Sequence, residues 1–165
     1  MTFFAIHSLP AGNGTLGICP LPGVLSPYAD DLTLVTAWNP DLVLTMTEHA
    51  EMVAAGAASL GDDLQDEGFS WYALPIADFG TPGDEVVATW PEVSALALAI
   101  LRSGGKVLAH CRGGCGRSGM VLMRLMVELG EAPDEALARL RAVRPCAVET
   151  QAQQDWAAAP AHDGA

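Results

Sequence analysis

The stretch that most limits how this chain can fold is "KVLAHCRGGCGRSGMVLMRLMVELG", Lys106 to Gly130. "KVLAH" is an apolar run of strand length. "SGMVLMRLMVELG" is apolar on most faces and ends in a glycine, which reads as a buried helix with its stop signal. The loop between them holds three glycines between Cys111 and Arg117, and Ser118 follows. Glycines remove side chains, so successive backbone N–H groups can converge on one point. At the positive end of a helix, such a nest binds a phosphoryl group. The cradle would be Arg112, Gly113, Gly114, Cys115 and Gly116, and Arg117 would add a bidentate guanidinium contact to two oxygens. The same amides and helix end favour a thiolate at Cys111, which makes it a nucleophile beneath the bound phosphorus. A plain glycine turn with an inert buried cysteine would leave Arg117 and Ser118 unexplained.

The rest of the chain supplies the frame. "FFAIHSL" and "LGICPL" read as strands joined by a turn, "DLVLTM" as a buried strand, and "FSWYALPI" as another, followed by the loop "ADFGTPGD". Helices are expected up to Trp38 with Asp30 or Asp31 as cap, from near Glu48, and over Leu60 to Glu67. A further helix is expected over "PEVSALALAILRSGG", with Pro91 in its first turn and Gly104 as its stop. The last two are expected from Pro133 to about Val143 and over "ETQAQQDWAAA". Strands alternate with helices, so the class is α/β. With 165 residues, half of them hydrophobic, one domain over 1–160 suffices, followed by a frayed tail at 161–165.

Charge narrows the partners. The net charge is −12, and all eight Lys and Arg residues lie between Arg102 and Arg144, whereas residues 1–101 carry 13 acids and no Lys or Arg. Nucleic acid and anionic membranes are therefore poor partners, and positive charge is gathered where an anion would bind. No signal peptide or membrane span is read from the N-terminus or the interrupted apolar runs. Four unevenly spaced cysteines suggest a reducing, cytoplasmic setting without a disulfide framework. Cys115 is expected to point away from Cys111. "GNGTLG" (Gly12 to Gly17) fits a dinucleotide fingerprint by letter, but Pro20 and Pro22 forbid the helix that it needs, so a hairpin turn is expected. Zinc would want a second close cysteine pair, and there is none.

"HCRGGCGRSG", between a strand and a helix, resembles the phosphate-binding loop of cysteine-dependent protein-tyrosine and dual-specificity phosphatases. "PIADFGTP" is similar to that family's general-acid loop. With "GICPLPG", "LTMTEHAE" and "AVETQAQQDW", the likeness runs from about Gly17 to Trp156 and leans toward the kinase-associated phosphatases and their bacterial relatives. The resemblance implies a mostly parallel central sheet flanked by helices, and a monomer that needs no metal or cofactor. It implies hydrolysis of phosphotyrosine and/or phosphoserine/threonine on proteins through a phosphocysteine on Cys111. It further implies Asp78 as general acid, Ser118 as hydrogen-bond donor to the departing thiolate, and His110 as a residue orienting the loop. Gln153 fits one of two positions for a water-positioning glutamine, and Glu149 occupies the other. Two alternatives stay open: a rhodanese-like sulfurtransferase, which thiosulfate turnover would reveal, and a non-catalytic phosphoresidue-binding module, against which the intact Cys, Arg, Ser and Asp set argues.

Overall fold

The computed structural model describes residues 3–159; the expected tail at 161–165 lies outside them. In chain order come β1 (His7–Ala11), β2 (Gly14–Cys19), α1 (Tyr28–Trp38), β3 (Leu42–Thr45), α2 (His49–Ala54) and α3 (Leu60–Asp66). β4 (Ser70–Ala73), α4 (Asp84–Arg102), β5 (Lys106–His110), α5 (Gly116–Glu128), α6 (Pro133–Val143) and α7 (Gln151–Ala158) complete it. The sheet order is β1-β2-β5-β3-β4. β1 pairs antiparallel with β2, and every other pair is parallel. This is the α/β domain with a mostly parallel sheet that the sequence implies.

Both faces of the sheet are covered. One core joins α4, α5, α6 and α7 to the sheet through residues such as Leu16, Leu44, Val107, Ala109 and Leu125. The other sets Val35 of α1, Met52 of α2, and Leu60 and Leu64 of α3 against Val43 and Leu108. β5 is central, and its Val107, Leu108 and Ala109 are buried whichever way they point, which explains why this run shows no polar alternation. Because β5 is inserted between β2 and β3, the crevice at the carboxyl ends of these strands is where ligands of open parallel sheets bind. "GNGTLG" indeed turns the β1–β2 hairpin, with Gly12 at φ +57°.

Three expectations change. β4 is half as long as read, because Pro75 has no N–H for the ladder; Leu74 and Ile76 still donate to Thr45 and Met46 carbonyls beyond the strand. α4 begins at Asp84, so Pro91 lies inside it. Pro91 removes the bond to the carbonyl of Val87, and the helix tolerates this because both residues are on its exposed side. Asp31 is not a cap. It is buried and accepts hydrogen bonds from the Gly23 N–H and the Ser26 hydroxyl, which staples the loop before α1.

Candidate active site

β5 ends at His110, and the loop Cys111–Cys115 leads into α5. Its carbonyls are all held from outside. The Arg112 oxygen accepts from Leu21 N–H at 3.1 Å, and the Cys115 oxygen from Gly119 and Val148 N–H groups at 2.9 and 3.2 Å. Arg144 donates Nη2–H to Gly113 O and Nε–H to Gly114 O, both at 2.9 Å. In a trans peptide the next N–H is antiparallel to the carbonyl. Pulling these four oxygens outward therefore turns the N–H groups of Gly113, Gly114, Cys115 and Gly116 toward the opposite side, a cavity of about 150 Å³ whose walls include Cys111, Gly113, Cys115, Gly116 and Arg117. Gly114, at φ +71°, admits no side chain, since a Cβ there would lie 2.6 Å from the Cys19 carbonyl carbon.

Cys111 is buried, and its Sγ lies 3.2 Å from the Ser118 hydroxyl. His110 is buried too, and burial pushes its pKa down to about 4, so the ring is neutral. Trp71 Nε1–H donates to Thr45 Oγ1 at 2.8 Å, and Thr45 Oγ1 is 2.7 Å from His110 Nε2. That chain makes Nε2 the acceptor and leaves Nδ1–H to donate to the Cys111 carbonyl at 3.3 Å. His110 thus ties the Cys111 backbone to β3.

Arg117 is 2% exposed. Its Nη1 and Nη2 donate to the two carboxylate oxygens of Glu51 at 2.7 and 2.8 Å, and Nη1 also donates to Ile76 O at 2.9 Å. The end of the guanidinium is therefore committed to a protein carboxylate. The other edge, Nε–H with the second Nη2–H, has no partner at Nε and faces Asp78 Oδ1 at 3.4 Å. A guanidinium has two such edges, so Glu51 fixes one while the other can grip two oxygens of an anion. The Arg117 guanidinium holds the Glu51 carboxyl below its ordinary range.

Asp78 reaches the cavity from the β4–α4 loop, with its side chain 57% exposed. Phe79 beside it is 59% exposed and adopts φ +62°. This is a left-handed conformation unusual for a bulky residue. Both line the cavity, as does Glu149, whose Oε1 lies where a Cβ on Gly116 would project. Gln153 does not line it. Its amide is buried and occupied: Oε1 accepts from Glu149 N–H at 2.9 Å, and Nε2–H donates to Gly80 O at 3.1 Å. Gln153 therefore ties the Asp78 loop to the start of α7. Arg112 lies at the cavity's outer wall.

One expectation is overturned. Cys115 does point away from Cys111, but it forms a disulfide with Cys146, leaving Cys19 and Cys111 free. The chain returns from α6 to lay 144–149 along the loop, and that return sets the two sulfurs side by side. Sequence reasoning also missed Glu51 and Arg144. The pattern Glu48-x-x-Glu51 was the available sign for the first, since it forms a capping box that opens α2.

A strand–loop–helix cradle over a buried cysteine, with an arginine edge free for oxygen atoms, defines the class of cysteine-dependent phosphatases. A family model described as "Polymorphic toxin system, DSP-PTPase phosphatase" matches residues 19–131. Cyclin-dependent kinase inhibitor 3 of Rattus norvegicus is 30% identical over 149 residues, 86% of this chain and 69% of that one. A crystal structure of the kinase-associated phosphatase, with its catalytic-site cysteine changed to serine, superposes with a TM-score of 0.82 at 27% identity, covering 95% of this chain and 93% of the other. The active form of the phosphatase Tk-PTP gives 0.67 at 33% identity over 86% and 87%. The chain belongs to the dual-specificity and tyrosine phosphatase family and is a cysteine-dependent protein phosphatase.

Proposed function

We propose that Cys111 carries the phosphoryl group and that the substrate is a phosphorylated protein or peptide, bearing phosphotyrosine, phosphoserine or phosphothreonine. The observation that supports this most is the position of the Cys111 thiol at the wall of an amide-lined cavity, with the Nε/Nη2 edge of Arg117 beside it. The thiolate attacks phosphorus and forms the S–P bond. The ester P–O bond breaks, and Asp78 gives its proton to the departing oxygen. Water then attacks the phosphocysteine and passes a proton to the Asp78 carboxylate. The S–P electron pair returns to sulfur, where the Ser118 hydroxyl donates a hydrogen bond. The loop amides and the free Arg117 edge hold the three equatorial oxygens through both steps, where charge stabilisation is worth most. Gln153 acts here by positioning the Asp78 loop, and Glu149 is the carboxylate beside the incoming water.

The cavity is small and open-rimmed, which suits both aryl and alkyl phosphoresidues, and Phe79 gives a flat ring something to lie against. The same reading has the chain acting as a cytoplasmic monomer, away from nucleic acid and membrane surfaces. No helix among the described residues is long and apolar enough to cross a membrane. The Cys115–Cys146 bond is the observation against a reducing setting, and alkylation of thiols during cell lysis decides that point. The function is tested by turnover of an aryl phosphate with and without chelator. Cys111→Ser is expected to abolish turnover and keep phosphate-ester binding, whereas Arg117→Lys loses both because an ammonium offers no paired edge. Thiosulfate turnover, or retained activity in clean Cys111→Ser protein, would defeat the reading.

A further inference from the structure

A second cavity, of about 220 Å³, opens at the same carboxyl edge of the sheet and shares no residue with the first. Its walls include Thr47, Met52, Asp62, Trp71 and Pro75, with the exposed His49 also contributing. Three links join it to the catalytic cavity. Thr45 lines it and pairs in register with His110. Met52 follows Glu51, the partner of Arg117, and Pro75 precedes Ile76, whose carbonyl also receives Arg117. With strands about 4.8 Å apart and a rise of about 3.3 Å per residue, the cavity lies roughly 10 Å from Cys111, about three residues of extended peptide.

The chemistry of the walls is specific. Indole, thioether and proline surfaces make an apolar body. The Asp62 carboxylate is exposed and pairs with no Lys or Arg among the described residues. The segments that form these walls offer no Lys or Arg, since residues 1–101 contain none. A long aliphatic stem ending in a positive head suits these walls: the stem on Trp71, Met52 and Pro75, the head on the exposed Asp62 carboxylate.

We infer that this cavity is a specificity pocket that takes a lysine or arginine side chain of the substrate polypeptide, two to four residues from the phosphoresidue. The inference rests on the chain's action on phosphoproteins. Its test therefore reads binding separately from turnover. The full chain carrying Cys111→Ser is titrated by fluorescence anisotropy with labelled phosphotyrosine nonapeptides. One position at a time holds Lys, Arg, norleucine or Glu. Lys or Arg at one position in that window is expected to tighten binding roughly tenfold over norleucine, the scale of a partly screened charge-assisted contact. Adding Asp62→Asn should erase most of that ratio, and Asp62→Lys should turn the preference toward Glu. In chains that keep Cys111, both Asp62 substitutions should leave p-nitrophenyl phosphate turnover unchanged. A general taste for basic peptides, equal at every position, would reflect only the net charge and overturns the pocket. So does a positional preference that survives both Asp62 variants. Failure of the native chain to turn over p-nitrophenyl phosphate would count against the catalytic reading instead, and the binding ranks would still judge the pocket.

Discussion

Glu51→Ala removes the carboxylate that holds the buried end of Arg117. Two charge-assisted hydrogen bonds, at 2.7 and 2.8 Å, disappear, and the guanidinium keeps only the Ile76 carbonyl and the 3.4 Å approach of Asp78. Breaking a buried pair by deleting one partner costs about 3–5 kcal/mol, because the remaining charge is left without compensation. Glu51 has 19% of its side chain exposed, so water can enter behind the deletion, and the low end, about 3 kcal/mol, is expected. For a chain of this size that lowers the melting temperature by roughly 6–12 °C. Urea unfolding followed by tryptophan fluorescence measures it, and the double variant Glu51→Ala/Arg117→Ala gives the control. If the cost is an orphaned charge, removing Arg117 as well should restore at least half of it. Phosphate or vanadate affinity should fall in the single variant too, since the free edge of Arg117 is aimed by the held one. A Glu51→Ala chain within about 1 kcal/mol of native stability, or a double variant whose loss is the sum of the singles, would refute the reasoning.

Asp78→Asn should slow phosphopeptide hydrolysis by about 10²–10⁴-fold, with a much smaller loss on aryl esters whose leaving groups need no proton. A uniform loss across leaving groups would exclude Asp78 as the acid. His110 titrates at about 4 in the folded chain against 6.5 unfolded. Between those values the unfolded state binds more protons, so the stability that His110 contributes is complete above pH 6.5 and is lost as pH falls toward 4. The expected loss is about 2 kcal/mol by pH 5. A His110→Asn chain should show a flatter pH–stability curve in urea titrations over that interval. Cys146→Ala opens a crosslink spanning 31 residues and should cost about 3–4 kcal/mol by chain entropy. Activity should stay within a few-fold of native, because the Arg144 and Val148 contacts to the loop remain; calorimetry and aryl phosphate kinetics separate the two effects.

The centre of the site was legible because its signals are local. A strand, a glycine-rich turn and a helix follow one another over 106–130, and each can be read from its own residues. What could not be read depends on chain return. Glu51 meets Arg117 across 66 positions, and although "LTMTEHAE" shares in the family likeness, nothing in it says which distant residue its last carboxylate meets. Cys146 looked like one of four scattered thiols until α6 turned the chain back toward the loop. Gln153 and Glu149 were both legible as candidates, but the choice between facing the cavity and facing the Asp78 loop is made by the hydrogen bonds at the start of α7. Pro91 misled for a different reason: the usual preference for the first turn was overridden by a solvent-facing position where one lost backbone bond is tolerable.

The outward hold on the loop carbonyls bears on the order in which this chain can become competent. Synthesis delivers Cys111, the glycines and Arg117 well before Arg144, Cys146 and Val148, with the crosslinked sulfurs 31 positions apart. Until that segment has emerged and folded back, the oxygens of Gly113 and Gly114 lack their guanidinium, and only the Leu21 and Gly119 N–H groups hold the neighbouring carbonyls of Arg112 and Cys115. A nascent chain ending near residue 131 carries every letter of the phosphate loop without its outer brace. A chain cut short of Arg144 would thus present the Cys111 thiol without the outer brace of the loop that follows it.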